Sequence, residues 1–154
     1  MLKVSDILEL KALSQHKGLF TISPKQTLKE VVALLAHQDI GSLLVVEFDE
    51  LIGIVTFREL IQEIHSAMSK GCAAGDQTVR SFMEEAPMTC TPATSVDEVR
   101  RMMLEHHVRY MPVMDAKRLC GVISFYDLAR AEMAEQEQEN KLLKAYIRDW
   151  PEAN

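Results

Sequence analysis

The sequence predicts an α+β fold of two related halves, each laid out strand–helix–strand–strand–helix, and three observations point to it. The stretch Gly53–Leu60, GIVTFREL, returns as Gly121–Leu128, GVISFYDL. The same offset of 68 residues carries Pro24 onto Pro92 and Val45 onto Val113, and Thr21–Leu60 shares nine identities in forty positions with Thr89–Leu128. Unrelated segments of ordinary composition share roughly two or three. Finally, apolar spacing alternates between short β-branched runs and helical stripes in the same order twice. A three-strand sheet with one apolar face is unstable alone. The halves are therefore expected to pack sheet to sheet about a pseudo-twofold axis, with helices outside and clefts between the repeats.

Val4, Ile7, Leu8 and Leu13 lie at near-helical spacing behind the start signals Ser5 and Asp6, and Gly18 closes that helix. Pro24 biases Ser23 away from helix, so Thr21-Ile22-Ser23-Pro24 reads as a short extended piece. Thr27 opens a helix through His37, with Leu28, Val31, Val32, Leu34 and Leu35 inward. After the turn Ile40-Gly41-Ser42 come strands at Leu43–Phe48 and Leu51–Thr56, joined through Asp49-Glu50. A helix from Phe57 to about Met68 buries Leu60, Ile61 and Ile64. Ser66–Thr78 is the least patterned stretch and reads as a linker. Beyond it, Val79–Met83 echoes Val4–Leu8, and Thr89-Cys90-Thr91-Pro92 echoes Thr21–Pro24. These signals divide the chain into an N-terminal helix (1–16), a first repeat (17–68), a linker (69–78), a second repeat (79–130) and a helical extension (131–154).

In that extension Leu142, Leu143, Tyr146, Ile147 and Trp150 form an apolar stripe. It either folds back on its own module or meets a second copy or partner, since a Trp and a Tyr need a place to be buried.

Hydrophobic content of 47% and charged content of 26% fit a globular chain. No apolar run suffices to span a bilayer, and the N-terminus does not read as a secretory signal. Three cysteines without a C-x-x-C predict a reduced, cytoplasmic protein. A net charge of −6 argues against nucleic acid and anionic membranes as partners, though not against a local basic pocket.

Each glycine-led segment sets a hydroxyl three residues before an acid, Thr56 with Glu59 and Ser124 with Asp127. The pair is a helix-cap signature, and the same helix end favours anions. In the repeat context, TISP and TCTP, IGSLLVV and VRYMPVM, and GIVTFREL and GVISFYDL resemble a pair of CBS domains, the Bateman module named after cystathionine β-synthase. The resemblance covers Lys17–Arg130 and points to a stand-alone CBS-domain protein.

It implies a non-catalytic module binding an adenosine-containing ligand such as AMP, ADP or ATP, or else S-adenosylmethionine or NAD. No other cofactor is implied. By this resemblance Asp127 would accept the ribose hydroxyls with Ser124 beside it, and the base would lie against Lys17, Phe20, Ile22, Ile40, Gly41 and Ser42. Arg109 falls at the family's phosphate-contacting position, where a guanidinium fork suits phosphate oxygens. A second cleft would use Thr56 and Glu59 with Thr89, Thr91, Val108 and Tyr110. Glu59 departs from the expected aspartate, and its extra methylene intrudes on the ribose space, which makes the Asp127 cleft the main site. The resemblance also implies a homodimer acting on a client protein. The alternative is a nucleotide-silent assembly module working through its C-terminal helix. His106-His107 lack the i, i+4 spacing of a helical zinc pair, and no motif supplies an orienting acid for a Cys/His nucleophile.

Overall fold

The computed structural model describes residues 1–13, 19–73 and 75–151. The elements in chain order are α1 (Val4–Leu13), β1 (Thr21–Ile22), α2 (Leu28–Gln38), β2 (Ser42–Glu47), β3 (Glu50–Thr56), α3 (Phe57–Ser69), α4 (Val79–Phe82), β4 (Glu84–Glu85), α5 (Val96–His106), β5 (Tyr110–Asp115), β6 (Arg118–Ser124) and α6 (Phe125–Arg148). One sheet runs β1-β2-β3-β4 and the other β5-β6. β1 lies parallel to β2, with Ile22 opposite Val45, and Cys90 bridges Val113 in parallel at the equivalent place of the second half. Even the bulges repeat, at Val45/Val46 and at Val113/Met114.

Residues on alternate sides of each strand serve different purposes. Leu43, Val45 and Val55 face the helices of their own half, joined by Val31, Leu35 and Leu60. Leu44 and Ile54 point to the other face of the sheet, pair in register, and are equally buried because the second sheet lies against them. The hairpin turns at Phe48-Asp49, one residue earlier than the sequence indicated. Both residues have positive φ, 50° and 62°, and Glu47 pairs with Glu50. Such mirror-image turns match the twist of the strands they join.

The first helices of the two halves change places. Val4 and Ile7 of α1 are buried in the core of the second half, with Val99, Met103, Met111, Ile123 and Leu128. Val79 and Phe82 of α4 are buried in the core of the first half, with Leu28, Val31, Leu43 and Val55. Backbone bonds seat both insertions in the same way. The Val4 N–H donates to the Thr94 carbonyl (2.9 Å) as that of Val79 does to Gln26 (2.8 Å). The Val96 N–H donates to Leu2 (3.0 Å) as that of Leu28 does to Gln77 (2.9 Å). Each inserted Val or Ile contributes about 1.5–3 kcal/mol by leaving water.

The exchange also accounts for the repeated glycines. A Cβ on Gly53 would lie 2.7 Å from Met83 Sδ and 2.8 Å from the Glu84 carbonyl oxygen, and one on Gly121 would lie 2.9 Å from Leu8 Cδ2. Met83 and Leu8 hold equivalent places in the exchanged segments; at Gly53 the backbone of that segment leaves no room for a side chain, and at Gly121 the Leu8 side chain would have to shift.

The two insertions then diverge. α4 stops at Phe82, and β4 pairs with β3 through Gly53–Glu85 and Ile54–Glu84. α1 instead continues to Leu13 across β6, and Lys11 Nζ donates to the carbonyl of Val122, the counterpart of Ile54 (2.8 Å). An ammonium thus stands where the first half has a strand.

Three residues expected on buried faces are exposed: Leu13 at the end of α1, Val32 on α2 and Ile61 on α3. Ile61 shares the outer face of α3 with Phe57 and Met68, while Leu60 and Ala67 turn inward. The expected C-terminal extension is the continuation of α6, unbroken from Phe125 to Arg148, and only Leu128 and Ala131 of that helix are buried. Past the repeat, Leu142, Leu143, Tyr146, Ile147 and Trp150 are exposed, with the Tyr146 and Trp150 rings edge to face at 5.3 Å. No helix among the described residues is long and apolar enough to cross a membrane.

Candidate ligand-binding site

The two glycine-led segments end as capped helix starts. Ser124 is extended (φ −101°, ψ 160°), its hydroxyl accepts from the Asp127 N–H (3.0 Å), and Asp127 Oδ2 accepts from the Ser124 N–H (2.8 Å). Thr56 and Glu59 make the corresponding box on α3, and the Thr56 hydroxyl also donates to Glu59 Oε2 (2.9 Å). Local structure is thus the same at both ends of the repeat; their surroundings are not.

Asp127 receives Lys11 Nζ at 2.9 Å from α1. Glu59 is buried, and that burial holds its carboxyl above the usual range. The Thr56 hydrogen bond opposes the rise, and the nearby Glu84 adds to it. The difference follows from the divergent insertions, since the first half receives a strand of two glutamates where the second receives a lysine.

A cleft of about 1240 Å³ opens between the halves on the Asp127 side. The first half contributes Phe20, Ile40, Gly41 and Ser42, and the second contributes Ser124 and Asp127, so these predicted residues stand on one wall system. Arg109 lines the same cleft. Val108 and Tyr110 also line it, rather than a cleft around Glu59, because the turn before β5 faces the turn before β2 across the pseudo-twofold axis. Ile22 is a core residue of the first half, turned inward by strand alternation. Thr56 and Glu59 do not line this cleft. Thr89 and Thr91 are exposed, and Thr91 is occupied by a turn in which its N–H and hydroxyl meet the Thr94 hydroxyl at 3.0 Å. Lys17 lies outside the described residues.

Gly41 is required by Tyr110. A Cβ there would lie 1.9 Å from the phenol oxygen and 2.7 Å from the ring carbon that bears it. The hydroxyl end of the Tyr110 ring thus comes close to the Gly41 backbone. Burial raises the Tyr110 pKa, with Arg109 opposing the shift and Asp127 adding to it.

Two basic lining residues, Lys11 and Arg58, escaped the sequence reading. Lys11 follows Val4 and Ile7 on the buried stripe of α1, and a lysine on such a stripe is the signal that was available. Arg58 crosses from α3 of the first half, and its Nη2 donates to the carbonyl of His107 at 2.7 Å. His107 has φ 53° and ends α5, which turns that carbonyl into the cleft.

Among the described residues no group of three or more His, Cys, Asp or Glu side chains could hold a metal ion. Burial pushes the Cys90 thiol up to about 11, which keeps it protonated and a poor nucleophile. The cleft brings together the hydroxyl and carboxylate of Ser124 and Asp127, two arginines and an apolar bed.

The family model described as CBS domain matches residues 4–66 and 79–134. The mitochondrial CBS domain-containing protein CBSX3 of Arabidopsis thaliana is 29% identical over 149 residues, spanning 94% of this chain and 71% of that protein. The structure of a protein with CBS domains from Burkholderia ambifaria MC40-6 superposes with a TM-score of 0.77 at 30% identity, covering 88% of this chain and 96% of that one. The structure of CBSX2 in complex with AMP shares the fold, with a TM-score of 0.70 at 22% identity, covering 88% of this chain and 99% of that one.

Proposed function

The chain belongs to the CBS-domain family, and we propose that it is a non-catalytic regulatory module that binds an adenosine-containing ligand in the cleft between its repeats. Occupancy of the cleft is passed to a partner protein. The observation that carries this reading is the meeting of Ser124 and Asp127 of one half with Phe20, Ile40, Gly41 and Ser42 of the other on one cleft. A ribose at Asp127 would leave its base against the apolar turn and its 5′ end toward Arg109. The AMP complex of CBSX2 supports a nucleotide in a fold of this kind.

A ligand shifts a partner equilibrium only by its differential affinity for two states. Both halves line the cleft, so a ligand held by both favours one relative placement of them. In this reading the module works as a homodimer, with the exposed apolar length of α6 meeting the second copy or the client.

Thermal melting with AMP, ADP, ATP, NADH and S-adenosylmethionine tests the reading, alongside Asp127→Asn. A ligand at one hundred times its dissociation constant stabilises by about 2.7 kcal/mol. A shift with one of them that is lost in the variant supports the sensor; no shift with any overturns it. The second reading, a nucleotide-silent assembly module, is favoured by the exposed stripe Leu142, Leu143, Tyr146, Ile147 and Trp150. It predicts that truncation at Asn140 abolishes self-association while no nucleotide alters melting.

A further inference from the structure

Building on the reading of the cleft as an adenosine site, we propose that Arg58 and Arg109 form an anion clamp with one arm from each half. The clamp commits the cleft to ligands with phosphate at the ribose 5′ position and turns away ligands with a positive charge there.

Both guanidiniums line the cleft, and neither meets a carboxylate among the described residues. Arg80 and Arg100, by contrast, each pair with an acid. Arg58 is held by the His107 carbonyl at 2.7 Å, which uses one N–H of its fork and leaves others to donate. His107 precedes Arg109 by two residues, so this bond brings the two arginines to the same corner. That corner adjoins the ribose position: the Arg109 carbonyl accepts from the Phe125 N–H (2.8 Å) at the start of α6, the helix whose first turn holds Asp127.

The clamp has no counterpart across the pseudo-twofold axis. There Tyr126 replaces Arg58, Gly41 replaces Arg109, and Asp39 takes the place of His107, all three lining the cleft. One corner therefore carries two cations, one of them held at the His107 carbonyl, and the other an acid and a phenol. Asp127, the other lining acid, already meets Lys11. A phosphate seated between the arginines gains charge-assisted, forked hydrogen bonds. The sulfonium of S-adenosylmethionine, in the same position, would face two like charges.

The test is calorimetric titration of the full chain with AMP, adenosine and S-adenosylmethionine at low and high salt, repeated for Arg58→Met and Arg109→Met, with melting curves to confirm folding. AMP is expected to bind about tenfold or more tightly than adenosine, with S-adenosylmethionine weakest. Each variant should pull AMP toward adenosine without changing adenosine itself, and salt should narrow the AMP advantage. Equal affinity for the three ligands, or Arg58→Met weakening adenosine and AMP alike, overturns the clamp but leaves the adenosine site standing. An unchanged AMP affinity in Arg58→Met overturns the arm from the first half. Binding of none of the three overturns the adenosine reading and the clamp with it.

Discussion

The ammonium of Lys11 stands 2.9 Å from Oδ2 of Asp127, joining the first helix of the chain to the start of the last. The same oxygen accepts from the Ser124 N–H, so one carboxylate both caps α6 and anchors α1. Both side chains are largely shielded from water, unlike a surface ion pair. A double-mutant cycle of Lys11→Met and Asp127→Asn in urea unfolding should give a coupling of about 0.5–3 kcal/mol. Additive effects would mean that the contact does not form in solution.

Gly41→Ala places a methyl where the Tyr110 hydroxyl lies, 1.9 Å away, and the ring must move. The expected cost is about 1–3 kcal/mol, typical of overpacking. Adding Tyr110→Ala should recover part of it, because the clash is with that ring alone. A double variant no more stable than the sum of the singles would show that Gly41 matters for another reason.

At Glu59 the prediction concerns pH. Its carboxyl titrates above the usual 4.5 because burial disfavours the anion. The protonated form then favours the folded state, so this contribution is present below the unfolded value and is lost as pH rises through the folded one. Glu59→Gln mimics the protonated form. It should be more stable than the parent at neutral pH, with the gap closing as pH falls toward 4.5. Urea unfolding of both at the two ends of that range decides it, and a gap independent of pH would refute the titration.

The exchanged helices make a spatial prediction. Val4→Ala removes a fully buried side chain from α1, at a cost of about 1–2 kcal/mol for the methyls lost. Hydrogen exchange should then quicken across β5 and β6, far along the chain, and not across β2 and β3. Loss of protection in β2 and β3 would contradict the exchange.

Most of the fold was legible because repetition carries the same register, bulges and caps twice. Thr27, Thr56 and Ser124 announce their helices by the same local chemistry that holds them in the structure. The exchange was not legible, since Val4 and Val79 show apolar spacing but nothing that says whose core they enter. Site residues divided along the same line. Phe20, Ile40, Gly41 and Ser124 line the cleft to which the family resemblance assigned them, whereas Ile22 turned inward by strand alternation and Val108 and Tyr110 came to the Asp127 side. Lys11 and Arg58 reach the cleft from other elements, and such reach depends on packing between halves that periodicity within one half does not encode.

The crossing of α1 and α4 bears on how the chain is made. α1 is synthesised before its partners β5, β6 and α6, with the whole first repeat between them, so this helix waits for both repeats before it can be seated. The first half waits less, until Val79 and Phe82 arrive. Contacts of such long sequence separation slow folding, because the loop must close before burial rewards it. Until then a growing chain presents Val4 and Ile7 to water, and a chain cut between the repeats would leave each half's core lacking the helix that the other carries.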